Sequence, residues 1–221
     1  MVSPNPEVRQ SAYALLGDTA IYAFQPLVSS GHLDKILQEL IAQLDLSLGA
    51  PFAADELRNS YAVTNNACWS AGEIVNRAPR EALTTFIEPL ATAFWTILQN
   101  QKVPGSLHEN AAIALGRLGG ASPDVLAPHL ATFIPLYLRE MSKIDWQEEK
   151  SASMEGMSKV ILINPGGLEQ SLLAWVEEIS RAPAWIAQTQ EGEGGGAYGT
   201  FKQVSRNTPS IPWSFSFVLT T

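Results

Sequence analysis

The chain contains four similar segments that decide its fold: QSAYALLGD at residues 10–18, NNACWSAGE at 65–73, ENAAIALGR at 109–117 and EKSASMEGM at 149–157. Each segment is rich in small residues and carries a glycine near its end. Aligned on Gly17, Gly72, Gly116 and Gly156, the segments are spaced 55, 44 and 40 residues apart. The last two intervals have the length of HEAT or armadillo repeats, and residues 49–54 indicate an insertion in the first.

Longer stretches between these segments carry apolar residues at the spacing of one helix face. They run over residues 33–48, 81–98, 125–141 and 168–179. Prolines at positions 89 and 135 fall inside the second and third stretches, so we expect these helices to be kinked. Each repeat is therefore predicted to pair a long outer helix with a shorter, antiparallel inner helix, whose small residues allow close packing.

The sequence thus predicts an all-α fold, a HEAT-repeat α-solenoid of stacked antiparallel helix pairs over residues 1–188. No sustained alternation of apolar and polar residues competes with this pattern. Residues 189–221 are predicted to form a separate irregular or disordered tail. The stretch EGEGGGAYGT at 191–200 is typical of a flexible chain, and Pro209 and Pro212 follow it without any helical period.

Composition and charge exclude several classes of protein. The chain carries 14 Lys and Arg against 22 Asp and Glu, a net charge of −8. An acidic surface disfavours nucleic acid and suits a basic peptide or protein partner. The single cysteine, Cys68, excludes an intrachain disulfide and fits a reducing compartment. A secretory signal and a membrane-spanning run are both absent, so we expect a soluble, intracellular protein without membrane insertion.

The residue types that commonly serve in catalysis or bind metals are not spaced for either role in this sequence. His32, His108 and His129 lack metal-ligand spacing, and we interpret them as solvated residues at helix ends. Cys68 is interpreted as a small core residue. The glycine-rich residues 192–196 lack the lysine and hydroxyl residue of a phosphate-binding loop. The sequence therefore predicts a protein that is not an enzyme and that needs no cofactor or metal.

A surface for peptide binding is indicated by the helix around Trp69. On a helical wheel one face is apolar and is expected to be buried; it consists of Ala67, Cys68, Ala71, Ile74 and Val75. Trp69 falls on the opposite face, with Asn65 and Glu73. A tryptophan on a polar face is typical of a binding anchor. The alternative is that the neighbouring repeat covers it.

The repeat alignment extends this surface to other repeats. Ala14, Ile113 and Ser153 occupy the positions equivalent to Trp69, and amides and acids flank them. An extended peptide could place an apolar side chain on Trp69 and Ile113, while the amides bind its backbone and the acids bind its Lys or Arg. Asn66 and Asn110 have an alternative role as a hydrogen-bonded ladder between repeats, and the two roles can coexist.

Several stretches resemble the C-terminal part of the transportin (karyopherin beta-2) family of nuclear import receptors, within the importin-beta class. They are PEVRQS (6–11) with ALLGD (14–18), NNA (65–67) through Trp69 to GEI (72–74), EN (109–110) with Ile113 and GRLG (116–119), and EEKSA (148–152) with NPG (164–166). These stretches occur in the family's order over residues 4–188.

The resemblance implies a receptor that binds the basic proline-tyrosine nuclear localisation signals of protein cargo and shuttles between cytoplasm and nucleus. It also implies Ran GTPase and nucleoporins as partners, with the main Ran site in repeats outside this sequence. The positions that match the family's site for the N-terminal, hydrophobic or basic part of the signal are Gln10, Asp18, Asn65, Trp69, Asn110 and Ile113. Asn66 is added from helix geometry alone.

Family members are several times longer than this chain, so we expect it to be a fragment or a truncated gene model. The alternative function is a HEAT scaffold that organises a multiprotein complex, such as a phosphatase regulatory subunit. An enzyme is the third and weakest reading. A Trp69 exposed on a concave face favours the import receptor, whereas a Trp69 packed between repeats favours the scaffold.

Overall fold

The computed structural model describes residues 3–46 and 54–183. Every regular element within these ranges is a helix, which confirms the all-α fold of HEAT-type repeats. The chain divides after Leu118 into two compact units. The predicted tail at 189–221 and most of the predicted insertion lie outside the described residues. No helix in the described ranges combines the length and the apolar character that crossing a membrane requires.

The first unit contains α1 (Pro6–Tyr22), α2 (Phe24–Ser29), α3 (Leu33–Leu44), α4 (Ala54–Arg77), α5 (Arg80–Leu83), α6 (Ile87–Gln99) and most of α7 (Gly105–Ala121). Helix α4 packs on α1, and α3 contacts both α4 and α6. Helices α1, α4 and α7 contain the first three of the four similar segments. They correspond to the predicted inner helices, and α3 and α6 to the predicted outer helices. The predicted lengths are wrong, because the inner helices have 17, 24 and 17 residues and α3 and α6 only 12 and 13.

The ends and the buried face of the inner helices follow from local sequence. Asn5 caps α1, since its side-chain oxygen accepts the Glu7 N–H at 2.8 Å, and Pro6 occupies the first helical position. The face of α4 that the helical wheel assigned to the core is buried throughout; it consists of Ala67, Cys68, Ala71, Ile74 and Val75. That prediction is confirmed.

Small residues bring α4 and α7 close together, as the sequence predicts. A Cβ atom on Gly72 would lie only 3.2 Å from the Cβ of Ala114. Residue 65 meets 110, 72 meets 114 and 73 meets 117, so contacts advance in the same direction along both helices. The pairs 10 with 66 and 17 with 69 advance in the same way between α1 and α4. The inner helices of this unit therefore run parallel.

The outer helix predicted over residues 81–98 is interrupted before its proline. Residues 81–98 do not form one helix, because α5 ends at Leu83 and α6 begins at Ile87. Pro89 is the third residue of α6, where a backbone N–H would have no partner within the helix. Pro89 is thus accommodated in the first turn of α6, and the predicted helix is interrupted at residues 84–86, ahead of the proline.

The second unit contains α8 (Pro123–Leu126), a 3-10 turn (Ala127–His129), α9 (Leu130–Met141), α10 (Glu148–Ile163), a longer 3-10 segment (Pro165–Ser171) and α11 (Leu172–Ser180). Pro135, the second proline for which the sequence predicted a kink, lies inside α9. Helix α10 packs on α8 and α9, and α11 packs on α9. The hydroxyl oxygens of Tyr137 and Ser153, 2.9 Å apart, join α9 to α10.

Candidate functional site

The amide side chains of the candidate site link the three inner helices of the first unit. Asn66 Nδ2 donates to the Gln10 carbonyl oxygen at 3.1 Å. Asn110 Nδ2 lies 3.2 Å from Asn65 Oδ1 and 3.5 Å from the Asn65 carbonyl oxygen. These bonds form the ladder that the sequence analysis gave as an alternative. They do not engage the side-chain nitrogen of Asn65 or the side-chain oxygens of Asn66 and Asn110.

Trp69 is half-buried, and its ring contacts α1. A Cβ atom on Gly17 would lie 2.0 Å from Trp69 Cζ3, so the ring occupies the space above that glycine. The repeat alignment instead placed Ala14, one turn earlier, beside Trp69. The ring lies at Gly17 because only a residue without a side chain leaves room for it. Trp69 is therefore partly packed between helices and partly accessible to solvent.

The remaining positions equivalent to Trp69 offer less surface than the sequence indicated. Ile113 is only 7% exposed, so the apolar stripe reaches solvent chiefly through Trp69. Ser153, in the second unit, is buried and hydrogen-bonded to Tyr137. Ser153 therefore contributes no exposed side chain, because its hydroxyl is used inside its own unit.

The acids that flank Trp69 differ in their availability to a basic ligand. Glu73 is buried, and its carboxylate binds Arg117 Nη1 at 2.7 Å through Oε1 and Arg77 through Oε2. Both oxygens of Glu73 are thus already neutralised by arginines. Asp18 is exposed on α1, directly after Gly17 in sequence. Of these two acids, Asp18 is therefore the one whose side chain is exposed to solvent.

The cysteine and two of the three histidines lie where the sequence predicted, and the third does not. Cys68 is fully buried, as predicted, and burial raises the pKa of its thiol. His32 and His129 are exposed and directly precede α3 and α9. His108 is buried instead of solvated, with Nε2 3.0 Å from the Asn100 carbonyl oxygen. No group of His, Cys, Asp and Glu in the part of the chain that the structure describes could hold a metal ion.

Two residues that shape this site were missed as such in the sequence. Gly17 was used only as a repeat marker, although a glycine inside a helix is unfavourable enough to need a reason. Arg117 appeared only as part of the third similar segment, without a partner. Its alignment with Glu73 of the neighbouring repeat, both directly after the shared glycine, was the signal for an ion pair between repeats.

Comparison with known proteins identifies several relatives. The chain is 33% identical over 171 residues to importin subunit beta-2 of Schizosaccharomyces pombe, which covers 77% of this chain and 17% of that protein. It is 31% identical over 181 residues to human Transportin-1, covering 82% and 18% respectively. It is also 31% identical over 166 residues to Transportin-1 of Oryza sativa, covering 75% and 18%. The chain thus spans less than a fifth of the length of these relatives. No protein-family model matches it.

Proposed function

Because this chain belongs to the transportin (importin subunit beta-2) family over the residues that match, we propose that it binds the nuclear localisation signals of protein cargo as part of a nuclear import receptor. The observation that carries the proposal is a half-buried tryptophan, Trp69, on parallel inner helices, with an exposed carboxylate, Asp18, on the helix that its ring contacts. Ran GTPase, nucleoporins and shuttling between cytoplasm and nucleus belong to the same proposal, because they follow from this role.

The ligand that suits this surface is an extended, basic peptide such as a proline-tyrosine signal. The exposed part of Trp69 offers area for one apolar side chain of the peptide. Asp18 attracts a Lys or Arg, and the net charge of −8 favours the approach of a basic chain. Asn65, Asn66, Asn110 and Gln10 supply amide groups that can hydrogen-bond a peptide backbone.

Replacing Trp69 with alanine tests the anchor. Truncation of a tryptophan anchor typically costs about 2 kcal/mol or more, so we expect affinity for a basic proline-tyrosine signal peptide to fall about thirtyfold. Isothermal titration of the full chain measures this, with circular dichroism as the check on fold. Trp95→Ala is the matched control, because Trp95 is also half-buried but lies on the outer helix α6. This variant should bind the peptide with the same affinity as the wild-type chain. Unchanged affinity in folded Trp69→Ala would reject the anchor.

A HEAT scaffold is the second candidate, and the contact between Trp69 and Gly17 is the observation in its favour. If Trp69 only holds α1 to α4, its removal should lower the melting temperature and no peptide should bind the wild-type chain. The two functions therefore differ in a single titration of the wild-type chain with the signal peptide, in which binding supports the receptor and its absence supports the scaffold.

A further inference from the structure

Gly17 lies in the middle of α1, where glycine is the least favourable residue apart from proline. Its backbone φ is not positive, so the left-handed region does not explain it. The space above it is filled instead by Trp69. A Cβ on Gly17 would lie 2.0, 2.5 and 2.7 Å from Trp69 Cζ3, Cε3 and Cη2, whereas real Cβ atoms essentially never have a neighbour within 3.0 Å. The glycine is therefore required by the ring.

Two other helical glycines of the first unit, Gly72 and Gly105, are not under this constraint. Gly72, at the aligned position in α4, would bring its Cβ to 3.2 Å from that of Ala114, which is tight but not impossible. Gly105, at the start of α7, would meet nothing within 4 Å. The contact at Gly17 is thus specific to the tryptophan that the proposed function uses as its anchor.

We propose that Gly17 is a positioning residue for cargo recognition: it seats the Cε3–Cζ3–Cη2 edge of Trp69 against α1 and so fixes the part of the ring that meets the signal peptide. The contact between Gly17 and Trp69 does not depend on the proposed function, but its effect on cargo recognition rests on that function. A ring held in this way needs no ordering when the peptide binds, which favours affinity. It also fixes the position of the apolar contact relative to Asp18, the next residue along α1.

The proposal predicts that Gly17→Ala displaces the ring without unfolding the chain. The clashing atoms belong to the end of a side chain, which can swing away, and alanine is the better helix former. Peptide affinity should then fall about tenfold or more, toward that of Trp69→Ala. In a Trp69→Ala background, adding Gly17→Ala should leave affinity unchanged, because both substitutions act through the same ring.

The experiment labels the full chain with 7-fluorotryptophan, which places a fluorine signal on each of the six tryptophans at Cζ2, outside the Cε3–Cζ3–Cη2 edge. The Trp69 signal is assigned from Trp69→Phe. Gly17→Ala should move this signal and leave the other five in place, whereas the control Gly105→Ala should move none. An unmoved Trp69 signal in Gly17→Ala overturns the proposal. If the Trp69 signal moves but the wild-type chain binds no peptide, the contact between Gly17 and Trp69 is supported and cargo binding is rejected. Failure of this inference and failure of the proposed function are therefore distinguishable.

Thermal unfolding keeps the proposal testable even if Gly17→Ala folds poorly. In the wild-type background, Gly17→Ala should lower the melting temperature because the ring must leave its seat. In the Trp69→Ala background, the same substitution should raise it by a few degrees, since only the higher helix propensity of alanine remains. An equal decrease in both backgrounds would show that Trp69 is not what Gly17 accommodates, and would overturn the proposal.

Discussion

Replacing Glu73 with leucine should lower the free energy of unfolding by about 3–5 kcal/mol, the usual cost of removing one partner of a buried ion pair. Glu73 is buried on α4 and joins that helix to α7 through Arg117. The side chain of Arg117 is only 4% exposed, and no residue within 3–46 or 54–183 accepts a hydrogen bond from its Nε. Without Glu73 this guanidinium is a buried charge with no other acidic partner among the described residues. Arg77 is more exposed and can turn to water.

A double-mutant cycle measured by urea denaturation separates the contribution of this ion pair to the free energy of unfolding from that of lost packing. The variants are Glu73→Leu, Arg117→Met and the two combined. The combined variant should cost less than either single one, because an apolar pair replaces an ionic pair without leaving a charge unpaired. Glu155→Leu is the control, since Glu155 pairs with Lys159 at the surface and should change stability by about 0.5 kcal/mol or less. Additive single effects would contradict this account.

Replacing Lys150 with methionine should be similarly costly in the second unit, on the order of 3 kcal/mol or more. Lys150 Nζ lies 2.5 Å from Glu178 Oε1, donates to the Ile144 carbonyl oxygen at 2.6 Å and is 4.8 Å from the centre of the Trp146 ring. Glu178 is only 3% exposed, and the second cation beside it, Arg181, lies 3.5 Å from Oε2 and is itself 58% exposed. The buried carboxylate therefore depends on the charge of Lys150.

The matched control for Lys150 is Lys159→Met, on the same helix α10. Lys159 pairs with Glu155 but is 44% exposed, so its loss should change stability by about 0.5 kcal/mol or less. Guanidinium denaturation of the full chain measures both variants. A Lys150→Met variant as stable as Lys159→Met would show that the buried pair does not hold α10 to α11.

The inner helices could be predicted from sequence because their small residues recur with the repeat. Gly72 packs on Ala114 as the prediction of close approach requires, and the stripe of α4 that contains Cys68 is buried as the wheel indicates. Both features are local consequences of helical periodicity. Any parallel stack of these helices would bury the same face, so no tertiary detail was needed to find it.

The breaks in the outer helices could not be read from periodicity. Each outer helix is preceded by a residue with φ near −105° and ψ near 0°; these residues are His32, Phe86, His129 and Ser171. Apolar residues continue across such a break, as Leu83, Phe86 and Ile87 do, and all three are buried. The hydrophobic pattern is therefore unbroken where the backbone is not helical.

The details of the candidate site depend on side-chain length, which an alignment of positions ignores. The alignment correctly brings the α1, α4 and α7 segments together, yet the indole of Trp69 reaches Gly17 instead of Ala14. Similarly, Glu73 falls on the polar side of the wheel but is buried once Arg117 covers it. One long side chain on a neighbouring helix is therefore enough to bury a residue that the helical wheel places on the surface.

The central claim is that a cargo signal binds on α1, α4 and α7, and photo-crosslinking tests it most directly. A basic proline-tyrosine signal peptide carries benzoylphenylalanine at its N-terminal hydrophobic position and is irradiated with the full chain. Mass spectrometry should find cross-links close to Trp69 and Asp18, and Trp69→Ala should abolish most of them. Cross-links confined to residues 119–183, or unaffected by Trp69→Ala, would contradict the account.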